Sequence, residues 1–273
     1  MGYEQYGRAY ELIIGEVKIT KLDISFSAER SVSEKPNTLA LTVFNLNESH
    51  RQSMSQEKKP FVQLSVGYGE NLGVVFSGTS RPAVSTYSRP DWVTEIEAGD
   101  GEPELASSRV NKSFAPGTDY QTVVLEVANS MGGIGLGNLE EMVKKASLHN
   151  GSKKFESGVT VAGAAKRELR RLLVSAGLEW SIQDGKFQVL EANKTLDTIA
   201  FVVSPKTGLI GSPTTGEDGS IRFVALLNPQ IVPGRQVKIE SKFCNGYYRA
   251  DRCKYSGSTD DKDWYVEVEG RAI

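Results

Sequence analysis

Between Gly177 and Arg235 a helix stop, a hairpin and a series of chain corners follow one another, which commits the sequence to β-structure entered from a helix. Gly177 closes an apolar-periodic run, the position where a glycine able to take positive φ ends a helix. Asp184-Gly185 stands between the alternating runs Leu178, Trp180, Ile182 and Phe187, Val189, and it is the dipeptide that a tight type I′ turn prefers. The pattern predicts a β-hairpin. Downstream, Gly208, Gly211, Pro213, Gly216, Gly219, Pro229, Pro233 and Gly234 bracket a single expected strand, Ile221 to Leu226, so this region joins units and turns corners.

Upstream, Tyr10 to Leu46 alternates. Leu22, Ile24, Phe26 and Ala28 point one way, and Leu39, Leu41 and Val43 repeat the scheme after the turn Glu34-Lys35-Pro36-Asn37. Asn45 to Lys59 is polar and reads as a short helix or long loop. Phe61–Tyr68, Gly73–Ser77, Pro82–Tyr87 and Trp92–Ala98 follow as short strands spaced for a small barrel or sandwich. From Asp100 the texture changes. Thr118 is a good N-cap for a helix whose stripe is Tyr120, Val123, Val124, Val127, Ala128 and Met131. Leu139 to Leu148 suggests a second helix. Val161, Ala164, Ala165, Glu168, Leu169, Leu172, Leu173 and Ala176 mark a third, with Lys166, Arg167, Arg170 and Arg171 on its wet side. Gln236–Ser241, Tyr247–Tyr255 and Trp264–Arg271 read as strands, linked by Asn245-Gly246 and by Ser258–Lys262. The fold class is therefore α+β, mainly β, in three parts: residues 1–100 (β), 101–204 (α+β) and 205–273 (β).

A chain of 273 residues has ample core for such parts. No run approaches the roughly 20 apolar residues that would span a bilayer. The N-terminus lacks a secretory pattern, and Tyr6 stands where a myristoylated Met-Gly terminus would carry Ser or Thr. With a net charge of −2 there is no excess of Lys and Arg to neutralise a phosphate backbone, which argues against high-affinity nucleic-acid binding. Cys244 and Cys253, the only two cysteines, read as reduced thiols, with a cross-strand disulfide as the alternative. Neither His50 nor His149 lies near them at a ligand spacing, so no metal or cofactor follows.

Candidate chemistry gives way to simpler readings. Gly133, Gly135 and Gly137 look like a dinucleotide loop, but that loop follows a strand and opens a helix, whereas this one follows a helix. The carboxylate pairs Glu140-Glu141 and Asp260-Asp261 sit in polar surroundings rather than in the apolar pocket a glycosidase acid needs. The histidines lie in polar segments, and there is no Gly-x-Ser-x-Gly elbow. No catalytic residue is assigned. Trp92, Trp180 and Trp264 read as strand core, with an exposed sugar platform as the alternative. The basic face of Lys166, Arg167, Arg170 and Arg171 is a solvated helix side or a candidate docking surface for an acidic neighbour.

Several collinear segments carry more than a fold class: Phe114-Ala-Pro-Gly-Thr118, Gly177-Leu-Glu-Trp180, Leu209-Ile-Gly-Ser-Pro213, Leu226-Leu-Asn-Pro229, Val232-Pro-Gly-Arg235, Asn245-Gly-Tyr-Tyr-Arg249 and Tyr255-Ser-Gly257 with Asp263-Trp264. In order and spacing, from about Ser113 to Ile273, the sequence resembles the baseplate hub proteins of contractile-tailed phages; the N-terminal part fits in pattern. The acidic turn Thr259–Asp263 is a departure. The resemblance implies two tube-like β-barrel domains with an α+β portion between them, and no enzymatic activity. It also implies a homotrimer whose six barrels match a sixfold tail tube, set between tube and central spike among other baseplate proteins. DNA would pass through its lumen, and assembly would take place in the host cytoplasm. Two readings compete with a phage hub: a peptidoglycan hydrolase carried in the baseplate, and the hub of a contractile injection system or bacteriocin.

Overall fold

The computed structural model describes residues 6–57 and 59–273; Gly2, the position a myristoyl group would need, lies outside them. The N-terminal elements are β1 (Arg8–Ile14), β2 (Val17–Ile19), β3 (Ile24–Ser31), β4 (Thr38–Phe44), α1 (Glu48–Gln56), β5 (Phe61–Tyr68), β6 (Asn71–Ser80), β7 (Val84–Ser88) and β8 (Asp91–Gly99). The middle of the chain forms α2 (Glu102–Ser107), β9 (Arg109–Phe114), α3 (Tyr120–Asn129), α4 (Leu139–Lys145), β10 (Val159–Ala164), α5 (Ala165–Val174), β11 (Leu178–Gln183) and β12 (Lys186–Glu191). It closes with β13 (Phe201–Val203), β14 (Leu209–Thr215), β15 (Ser220–Leu226), β16 (Gln236–Glu240), β17 (Asn245–Ser258) and β18 (Trp264–Ala272). The fold is α+β and mainly β, with strand groups at both ends of the chain and the helices concentrated between them.

Two compact units divide these elements. The first combines the described residues up to Ser31 with Asn37–Asp100 and Thr195–Ile273. Its 14 strands form one hydrogen-bonded sheet, ordered β14-β15-β18-β17-β3-β4-β8-β6-β5-β1-β2, with β16 also on β17, β13 on β16 and β7 on β8. The antiparallel β3–β17 ladder, from Ser25 opposite Ser258 to Ser31 opposite Arg252, joins the N-terminal strands to the C-terminal ones. Strand alternation sets its register. Ile24, Phe26 and Ala28 of β3, Leu39, Leu41 and Val43 of β4, Cys253 and Tyr255 of β17, and Val266 and Val268 of β18 are all buried, and a slip of one residue would turn each set to water. At the junction Phe26 meets Trp264 edge-on at 5.4 Å. Gly257 admits that pair, because a Cβ there would stand 2.6 Å from both rings.

The second unit comprises Val32–Pro36 and Gly101–Lys194. Its core collects the whole expected α3 stripe, Tyr120 to Met131, with Leu169, Leu172 and Leu173 of α5 and Trp180 and Phe187 of the β11–β12 hairpin. The buried Tyr120 hydroxyl donates to the Leu172 carbonyl at 3.0 Å, tying α3 to α5. Asp184 and Gly185 both take positive φ, 53° and 75°, as the I′ turn requires.

Several local expectations are corrected. Val161 and Ala164 belong to β10, which pairs with β9, and the helix starts only at Ala165; the β-branched run Val159-Thr160-Val161 finds a strand partner that apolar periodicity could not foresee. Asp119, not Thr118, occupies the N-cap of α3, and Thr118 Oγ1 donates instead to the Ala115 carbonyl. The short α2 begins beside Pro103, and Gly101 at φ 68° precedes it; proline just inside a helix start was the available signal. Asn245-Gly246 lies within β17, and the reversal is made by residues 241–244, with Ser241 Oγ bonded to both main-chain groups of Cys244. Ile221–Leu226 is not alone in its region. β14 pairs alongside it through an irregular edge that absorbs Gly211 and Pro213, the place in a sheet where proline is tolerated.

Candidate interaction surfaces

In the first unit the strands β15, β18, β17, β3, β4 and β8 run side by side, so their solvent-facing residues make one polar surface. Cross-strand rows follow from the register. One row runs Tyr265, Ser256, Ser27, Ala40 and Glu97, and the next Glu267, Lys254, Glu29 and Thr38. The middle of the surface carries small and hydroxyl side chains. Its cations sit beside carboxylates: Arg252 contacts Glu29 at 2.6 Å and Glu269 at 3.6 Å, and Arg222 contacts Glu269 at 3.4 Å. The hydrogen bonds that Arg252 donates to Glu29 are the main reason its guanidinium is held still further above its ordinary range. On these alternating positions Glu29, Glu95, Glu97, Glu267 and Glu269 intermix with Arg222, Arg252, Lys254 and Arg271, with Asp91 on the same face of β8, Asp251 paired to Arg271 and Arg81 paired to Glu97, so carboxylates slightly outnumber cations and the surface is mildly acidic.

The acidic turn Thr259–Asp263 is anchored to the N-terminal strands. Thr259 N donates to Ile24 O at 3.0 Å, Ile24 N donates to Thr259 Oγ1 at 2.9 Å, and Arg8 donates to the carbonyls of Asp261 and Lys262 at 2.5 and 2.6 Å.

In the second unit the basic residues of α5 surround two carboxylates. Glu168, only 7% exposed, accepts two hydrogen bonds from Arg171 at 2.9 and 3.1 Å and lies 3.4 Å from Arg167. Arg170 reaches Glu34 at 3.4 Å. Burial raises the Glu34 carboxyl above its usual range, while Arg170, Lys166 and the Trp180 indole pull it back. Lys166, Arg167, Arg170 and Arg171 thus share two carboxylates, which leaves a cationic surplus on the face.

The remaining sequence motifs are placed as follows. Gly135 bonds to the β11–β12 turn on both sides, its N–H to Gly185 O and its carbonyl to Phe187 N, each at 2.8 Å. The glycine run is therefore a strap along the hairpin. Glu141 pairs with Lys145 at 2.5 Å, which holds its carboxyl below the usual range, the opposite of a glycosidase acid. Trp180 and Trp264 are buried, but Trp92 is 38% exposed beneath the Arg51 guanidinium, 4.0 Å from its ring centre. Cys244 and Cys253 are free and buried, and burial pushes the Cys253 thiol up to about 12. Among the described residues no group of three or more His, Cys, Asp or Glu side chains could hold a metal, and no helix is long and apolar enough to cross a membrane.

A family model described as baseplate hub gp41 matches residues 18–270 of the chain. The chain belongs to that family. Its fold is similar to that of the 43 kDa tail protein of prophage MuSo2 from Shewanella oneidensis (10% identity, TM-score 0.66, 97% of each chain covered). It is equally similar to the tail protein from Neisseria meningitidis MC58 (9% identity, TM-score 0.67, 97% of each chain). A type VI secretion component of E. coli, described as structurally similar to the T4 bacteriophage tail proteins gp27 and gp5, matches at 9% identity and a TM-score of 0.62, over 96% of this chain and 76% of that one. At such identities the likeness establishes the fold. A search of curated proteins found no match. Membership of the hub family makes this chain a structural component of a phage tail baseplate.

Proposed function

We propose that three copies assemble into a ring joining a sixfold tail tube to a central spike, around a channel through which DNA leaves the virion. In this reading residues 1–100 and 205–273 act as two tube-like domains and residues 101–204 as the portion between them, without enzymatic activity. The observation that carries it is the single sheet in which β3 and β17 fuse the two strand groups of each chain, so that three chains present six groups. The mildly acidic surface of β15, β18, β17, β3, β4 and β8 suits the channel wall, because each unpaired cation there would add a counterion-release contribution and hold the DNA. The surplus cations of α5 then face outward or into a contact with an acidic baseplate neighbour.

Two measurements test the reading. Mass determination should give a trimer that binds tube or spike protein, and a strict monomer binding neither would overturn it. Filter binding to duplex DNA at roughly 0.15 M salt should show no tight complex. Tight binding abolished by Arg170→Ala with Arg171→Ala would put the basic face in the channel. A hydrolase is separated from a hub by zymography on peptidoglycan, with Glu140→Gln and Asp261→Asn as controls; no clearing is expected. The likeness to the E. coli secretion component supports a second reading, the hub of a contractile injection system. A map of the assembled particle, with or without a capsid, decides between the two.

A further inference from the structure

We propose that the outer edge of β10 takes up an extended, acidic segment of a partner protein as a third strand of the β9–β10 ribbon, which deepens the reading in which the α5 cations meet an acidic neighbour. The ribbon has only two strands, so β10 has β9 on one side and an open edge on the other. Two side chains reveal which groups stand on that edge. Arg167 donates to the Ala162 carbonyl at 3.1 Å and Arg171 to the Thr160 carbonyl at 3.4 Å. These carbonyls therefore point away from β9. In an antiparallel ladder a residue turns its N–H and its C=O to the same side, so the N–H groups of Thr160 and Ala162 face outward too. Both residues are exposed, and among the described residues no acceptor is bonded to either N–H.

The edge is cationic. Arg167 and Arg171 each give a hydrogen bond to a neutral carbonyl, and the carboxylate they share is Glu168. Gly163 makes room for this arrangement: its φ is 114°, and a Cβ there would lie 2.7 Å from Arg167 Nη2. An open strand edge is a template for another strand. Strand addition supplies main-chain hydrogen bonds, and the alternate side chains of the added strand select the partner. Val161 is buried with Leu169 and Leu172 of α5, so every second side chain of an added strand turns toward that helix and meets Arg167 and Arg171. Carboxylates at those positions match them. The guanidinium groups then leave the neutral carbonyls to the incoming N–H groups and take charge-assisted bonds, the stronger kind, in exchange. The ribbon and α5 belong to one unit of one chain, so the site does not depend on the ring being trimeric.

The test uses the full chain, titrated with acetyl-Thr-Glu-Thr-Glu-Thr-Glu-Thr-amide and with the same peptide carrying glutamine for glutamate, and followed by NMR at the Thr160 and Ala162 amides. The glutamate peptide should bind saturably, less tightly as salt rises, and about tenfold or more tighter than the glutamine peptide. With peptide at about ten times its Kd, hydrogen exchange at both amides should slow about tenfold. Ala162→Pro removes one of the two donors at an edge position where proline is tolerated, and should weaken binding about tenfold in a protein still folded by circular dichroism. No saturable binding, equal binding of the glutamine peptide, unchanged exchange at both amides on saturation, or unchanged binding in a folded Ala162→Pro would overturn the proposal. So would exchange that is already slow without peptide and quickens on dilution, because a second copy would then cover the edge. None of these outcomes bears on whether the ring is trimeric.

Discussion

Arg252 on β17 and Glu29 on β3 form a two-point ion pair, with Nε to Oε1 at 2.8 Å and Nη2 to Oε2 at 2.6 Å, across the ladder that joins the two ends of the chain into one sheet. Backbone hydrogen bonds make the junction, and this pair marks its register. Both side chains are more than 40% exposed, so solvent screens most of their attraction. A double-mutant cycle with Arg252→Ala and Glu29→Ala, read by urea unfolding, should give a coupling of about 0.5–1 kcal/mol that shrinks in roughly 1 M salt. No coupling at low salt would leave the junction to the backbone alone.

Glu168 is the buried centre of the α5 charges. Glu168→Gln keeps the size of the side chain but removes the charge that Arg171 and Arg167 share. The expected loss is about 2 kcal/mol of unfolding free energy, with the protein still folded by circular dichroism. Arg170→Ala, whose partner Glu34 is less buried, should cost less than half as much by the same measurement.

Glu34 gives a pH signature of opposite sense to most carboxylates. Burial, the leading cause, raises its folded-state pKa above the unfolded value. Its contribution is therefore most favourable below the unfolded pKa and is lost as pH rises through the folded one. Unfolding free energies of the parent and of Glu34→Gln, compared across the acid range, should move in the parent's favour as pH falls. Movement the other way would mean that Arg170 and Lys166 outweigh burial.

Gly137 separates a structural strap from a nucleotide loop. Its φ is +54°, and a Cβ there would lie 2.0 Å from the Phe187 carbonyl oxygen. Main chain on a hairpin cannot give way as a flexible side chain would. Gly137→Ala should therefore destabilise by about 2–4 kcal/mol, measured by chemical denaturation, whereas Gly132→Ala, where nothing lies within 4 Å, should be close to neutral.

The polar sheet surface predicts a gain of function. Ser27 and Ser256 stand opposite each other on β3 and β17. If this surface lines the channel, the ring carrying Ser27→Lys and Ser256→Lys should bind duplex DNA in a filter assay, with affinity falling steeply as salt rises, while the parent ring does not. Unchanged retention would place the surface elsewhere.

The sequence by itself determined the alternating strands, the α3 stripe, the Asp184-Gly185 turn and the family. All of these are local: a period of two or 3.6, a dipeptide with a left-handed requirement, or short segments in a fixed order. It also marked the basic residues of α5, because charge on a helix face can be read from spacing. Tertiary structure alone decided where α5 begins, since Val161 becomes a strand residue only when β9 is beside it. It decided that Arg171 and Arg167 spend charge on Glu168, and that Trp92 lies under Arg51 rather than in the core. Above all it decided that β3 pairs with β17, more than two hundred residues away along the chain. Edge complementarity between distant strands leaves no periodic trace in either of them.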